Sequence, residues 1–231
     1  MSSKIHLSPK DAAFDAGMVI LAISAAWAAS RLLIYPALSV PDNAPVILRP
    51  ILGFFAAWLL LRRRGSGWRS LGLHRPRVLW IAVIGAIALY LVNMALASRV
   101  APQLAQWITP VQQPSFMGPL VRGNTAAFAT WLTIGIVVGG FMEECLFRGF
   151  LLTRVAEALG GSRAALAAGV VSQALLFGAL HLYGGVFAFT FAALAALASG
   201  VAYLALGRNL WPLIAVHAAW NSVAIWGIYS S

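Results

Sequence analysis

Two adjacent carboxylates and an arginine, in the run Glu143-Glu144-Cys145-Leu146-Phe147-Arg148, stand inside one of the most apolar stretches of the chain, and His181, His217 and Asn221 stand in later ones. The protein has only six acidic residues. Insertion scales put a charged side chain at a bilayer centre at about 2.5 to 3.5 kcal/mol unfavourable, so two side by side imply compensation or function. On a helix, Glu144 and Arg148 fall four apart on one face with the acid first, the better order for an ion pair. Glu143 points about 100° away, without a local partner. A carboxylate buried in that way is suited to general-base work. His181 follows Phe177 by four residues and His217 precedes Asn221 by four, so each pair shares a helix face. A lone histidine on an apolar helix is ordinarily a packing residue. Carboxylate, two imidazoles and an amide together are the groups needed to activate a water and stabilise an oxyanion. Phe177 reads as a wall of such a site. Cys145 reads as a nucleophile or as a small apolar filler; local sequence supplies it no base, which favours the filler.

The elements that carry these groups must be membrane helices. Hydrophobic residues make up 61% of the chain and charged residues 10%, far from the balance of a soluble domain. Apolar runs near the length of a membrane span recur throughout, which predicts an all-α, polytopic transmembrane bundle of about seven spans, or eight, forming a single integral membrane domain over 1–231. The expected helices are 14–38, 46–61, 78–98, 125–159, 164–182, 187–206 and 212–229, with a Pro-Asp-Asn turn at 41–43 and a Pro- and Gln-rich outer loop over 99–124. The functional core is expected at about 125–229. The net charge of +10 does not point to nucleic acid, because the basic residues border apolar runs instead of lining an amphipathic face. Six of the sixteen, Arg62, Arg63, Arg64, Arg69, Arg75 and Arg77, fall in one loop. By the positive-inside rule that loop is cytoplasmic, and so is the N-terminus two helices earlier. The first run lacks a cleavage site and reads as a retained helix, not a signal peptide.

Taken in order, Glu143-Glu144-x-x-x-Arg148, Phe177-x-x-x-His181 and His217-x-x-x-Asn221 resemble the motifs of the CPBP intramembrane proteases, which include the type II CAAX prenyl endopeptidases and bacterial bacteriocin-processing or self-immunity proteins. Trp68-Arg69-Ser70-Leu71-Gly72-Leu73 looks like the same family, less specifically. The resemblance implies an intramembrane endopeptidase in a bacterial-type plasma membrane, acting on a peptide or protein substrate that carries a lipid modification in some relatives. Glu143 would deprotonate water, and Glu144 with Arg148 would steady the site. His181, His217 and Asn221 would bind the water or polarise the scissile carbonyl. The family has been described both as glutamate-type, needing no cofactor, and as metalloproteases. With no His-Glu-x-x-His run, a zinc-like divalent ion would need ligands from separate helices, namely Glu143, His181 and His217. Two other classes use the same residues: a proton-coupled carrier with the Glu and His groups as a relay, and a non-catalytic immunity or scaffold protein.

Geometry sets the test. From borders near Glu157, Arg163 and Arg208, a rise of about 1.5 Å per residue puts Glu143 about 21 Å deep, His181 about 27 Å and His217 about 14 Å. Straight upright helices would keep them apart. The fourth run, about 35 residues or roughly 52 Å, is also too long for one span, so a break, a tilt or an extension is expected there.

Overall fold

Seven long helices run through the residues that the structure, a computed structural model, describes: 7–34, 47–109 and 118–231. The expected turn at 41–43, the end of the first helix at 35–38 and residues 110–117 of the Pro- and Gln-rich segment lie outside the described residues. Helix α1 (Pro9–Ala29) begins earlier than expected, because the Ser8 hydroxyl accepts from the Asp11 amide and Pro9 occupies the first turn. Helix α2 spans Leu48–Arg63.

Helix α3 (Leu79–Ala95) corrects the sequence reading. It passes through a π turn, Leu96–Val100, and continues as Ala101–Ile108 instead of opening into a loop at Arg99. Pro102 is tolerated in the first turn of that continuation, where its missing N–H interrupts nothing. Helix α4 runs over Thr125–Ala158, α5 over Arg163–Leu180, α6 over Gly185–Ala205 and α7 over Trp211–Tyr229. Five stretches are long and apolar enough to cross a bilayer; α2, at 16 residues, and α7 are not among them. An all-helical membrane bundle results, with no strand among the described residues.

Ion pairs bring three helix ends together. Arg64, just past α2, lies 3.0 Å from both Asp11 and Asp15 of α1. Buried Asp15 also lies 3.5 Å from Arg154 near the end of α4, and Arg154 contacts Glu157 at 2.6 Å. At the opposite end the Gly123 amide donates to the Tyr229 carbonyl, so α4 begins where α7 stops.

Two local structures remove the depth conflict. Gly160 and Gly161, with φ of +86° and +70°, stop α4, and the Gly161 amide returns to the Ala156 carbonyl. Ser162 then caps α5. Glu143 and His181 stand equally far in sequence from Ser162, so the antiparallel hairpin brings them to one level. The two residues just before α7 turn inward from the border. The Asn209 amide donates to the His74 carbonyl and the Leu210 amide to the Gly72 carbonyl, which buries both residues beneath the short turn Trp68–Leu71. Gly72, at φ +108°, is required there, since a Cβ would collide with the Arg208 carbonyl.

Candidate active site

The glutamate pair lies where α4 abandons α-helical geometry. Gly135–Glu143 and Cys145–Leu151 are both π-helical, a departure found mostly as single turns and often at functional sites. Widening the turn leaves a backbone carbonyl to satisfy, and the Asn221 amide donates to Gly135 O at 2.9 Å. Close approach of α7 makes that bond possible. A Cβ on Gly140 would lie 2.9 Å from Ala218 Cβ, one on Gly135 2.9 Å from Ile225 Cδ1, and one on Gly139 would collide with the Asn221 amide itself. Gly135-x-x-x-Gly139 is a small-x-x-x-small pattern of the kind that lets membrane helices touch, a signal that was present in the sequence and that motif reading passed over.

Glu144 is 1% exposed, and its Oε1 lies 3.0 Å from the Arg148 guanidinium and 2.7 Å from His217 Nδ1. The first contact is the expected ion pair. The second was not expected. A carboxylate can only accept, so Nδ1 of His217 carries the proton and Nε2 faces Glu143, whose Oε2 is 3.8 Å away. His181 terminates α5, and its Nδ1 donates to the Phe177 carbonyl at 2.8 Å, which again leaves Nε2 as the working nitrogen. Phe177 does more than form a wall. The Arg148 guanidinium carbon sits 4.6 Å from its ring centroid, and the Phe147 ring meets it edge-on. A desolvated cation–π contact is worth about 2 kcal/mol and gives the 2% exposed arginine a second partner besides Glu144.

Glu143, His181, His217 and Asn221 line one cavity of about 200 Å³, with Phe177 at its wall and Glu144 and Arg148 buried behind it. One arm is apolar, formed by Trp131, Ile134, Val138, Ile225 and Ile228. Arg49 and Tyr183 also line the cavity, with the guanidinium 5.7 Å from the ring centroid. Sequence reasoning missed both, although Arg49 interrupts an apolar run just as the glutamates do. Cys145 is fully buried in the core and does not line the cavity, in keeping with a filler. Glu143, His181 and His217 share the cavity, and among the described residues no three His, Cys, Asp or Glu side chains are gathered closely enough to hold a metal ion.

Residues 125–223 match the Rce1-like family, described as type II CAAX prenyl endopeptidase Rce1-like. No curated protein and no solved structure matches the chain. The three motifs all fall in the matched region, the first two on stretches of membrane-spanning length or at the end of one, and the third on α7. The match over residues 125–223 supports membership of the CPBP family of intramembrane proteases, which includes the type II CAAX prenyl endopeptidases.

Proposed function

We propose that the chain hydrolyses a peptide bond with a water activated by Glu143. The convergence of Glu143, His181, His217 and Asn221 on one water-accessible cavity carries this reading. A relay for proton transport needs groups strung along a path, whereas hydrolysis needs them around one point. The 3.8 Å between Glu143 Oε2 and His217 Nε2 is longer than a hydrogen bond and is a span that one water oxygen can bridge.

Glu143 takes a proton from the water as its oxygen adds to the scissile carbonyl carbon. The proton then passes to the amide nitrogen as the C–N bond breaks. The two histidines divide the remaining work according to their partners. His181 is backed by a neutral carbonyl and presents Nε2 as an acceptor that orients the water. His217 is held at Nδ1 by the Glu144 carboxylate and turns Nε2 toward the carbonyl on which the oxyanion develops. Asn221 uses one N–H on Gly135 O and offers the other to the same oxyanion.

The apolar arm of the cavity suits a substrate with an apolar or lipid-modified residue near the scissile bond. Purified protein is tested on matched peptides with and without a prenyl group. Glu143→Gln preserves volume and removes the base, and general-base contributions predict a rate lower by about 10²- to 10⁴-fold. Cleavage by Glu143→Gln at the wild-type rate would remove the assignment. Equal cleavage of the two peptides would remove only the lipid-modified substrate.

A further inference from the structure

A second cavity, of about 160 Å³, shares no lining residue with the first. It lies between the start of α3, the end of α6 and the start of α7. Ile81, Ala82, Ala205 and Leu206 give it an apolar floor, and His74 and Arg77 give it a basic rim. The rim is held in place by Asn209, which donates to the His74 carbonyl at 2.9 Å and accepts from the Trp211 amide at 3.0 Å.

The chemistry around its mouth is of two kinds. Arg75, Arg77 and Arg208 are exposed and, among the described residues, make no ion pair, whereas Arg64 and Arg154 are engaged with acids. No acidic side chain lines the cavity. Helix α3 starts here without a side-chain cap, which adds the partial positive charge of its first-turn amides. Directly beside these groups the surface turns apolar, with Leu79 71% and Trp80 65% exposed and Trp211 also exposed. Tryptophans where basic residues meet apolar ones mark the level of lipid headgroups. A free anion has no use for the apolar floor, and a zwitterionic lipid gains little from a rim of one sign.

From these residues we infer that the cavity binds the phosphate headgroup of an anionic phospholipid, with the first methylenes of an acyl chain over Ile81 and Leu206. The occupant would brace the first turn of α7, because Pro212 forms part of the same wall.

The test uses the full chain in detergent, with binding read by native mass spectrometry and by the shift in melting temperature. Phosphatidylglycerol, phosphatidylcholine and inorganic phosphate are the probes. Phosphatidylglycerol is expected to bind and to raise the melting temperature, and the other two to do neither. One basic residue near a membrane surface contributes enough that Arg77→Gln should weaken phosphatidylglycerol binding roughly fivefold. Arg63→Gln, which removes an equally exposed charge away from the cavity, should leave binding unchanged. Ala82→Leu fills the floor and should abolish the preference for phosphatidylglycerol. Arg77 is exposed, so its variant is expected to fold, and its melting temperature in phosphatidylcholine checks that. Equal binding of the two lipids, equal losses in Arg77→Gln and Arg63→Gln, or a full shift from inorganic phosphate alone would each overturn the site.

Discussion

The 2.7 Å contact between Glu144 Oε1 and His217 Nδ1 joins α4 to α7 and separates the duties of the glutamate pair. Glu144 is committed to a cation and an imidazole inside the protein, while Glu143 faces the cavity. Removing one partner of a buried ion pair typically costs about 3 to 5 kcal/mol, because the other charge is left without compensation. Glu144→Gln should therefore lower both stability and cleavage, and Glu143→Gln should lower cleavage with little change in melting temperature. Thermal unfolding and peptide cleavage measured on both variants decide this. Equal melting behaviour would mean that Glu144 does not hold Arg148 and His217 as described.

The glycines of α4 give a sharper test of positioning. An alanine methyl at Gly139 would collide with the Asn221 amide, so it must push that group out of register, while His217 Nε2, at 3.7 Å, stays in ordinary contact. Displacements near 1 Å can cost about 100-fold in rate. Gly139→Ala should reduce kcat by about that factor. Gly227→Ala, where a Cβ meets nothing within 4 Å, should not. Retained activity in Gly139→Ala would show that α7 has room to spare, against the close packing observed.

Much of this site was legible in the sequence because charge in an apolar run is rare and spacing along a helix is fixed. Glu143, Glu144, Arg148, His181, His217 and Asn221 needed no structure to be singled out. What spacing could not supply was depth. Rise per residue assumes α-helical geometry, and α4 is π-helical on both sides of Glu144. Charged borders assume that loops lie at the surface, and Asn209 and Leu210 are buried beneath the turn that ends at Gly72. The partner of His217 was unreadable for a related reason: 73 residues separate it from Glu144, and nothing local encodes that approach. The continuation of α3 past Arg99 was lost to Pro102, read as a helix stop when its position in a first turn makes it a helix start.

At the far end of α4, Asp15 is fully buried between Arg64 and Arg154. It holds α1 against α2 and α4, and so fixes the helix that carries the glutamates. Asp15→Asn keeps the shape and removes the charge between two guanidinium groups. Each arginine keeps a second acid, Asp11 or Glu157, so the loss should fall at the low end for buried pairs, about 3 kcal/mol. Asp11→Asn, at the exposed contact, should change the melting temperature little. Similar losses in the two variants would contradict the difference in burial.

The same network predicts sidedness. Arg64 touches Asp11 and Asp15, so the start of α1 and the basic loop after α2 lie at one end of the bundle, while Tyr229 meets Gly123 at the other. Six arginines in residues 62–77 predict that the first end faces the cytoplasm. Cys145 is fully buried, so a membrane-impermeant maleimide should leave the wild-type chain unlabelled and report only on introduced cysteines. Exposed Ser70 and Ser231 provide positions at the two ends. In right-side-out vesicles Ser231→Cys should label at once and Ser70→Cys only after permeabilisation. The reverse pattern would invert the topology, and labelling of both before permeabilisation would be incompatible with a bundle that separates these ends across a bilayer.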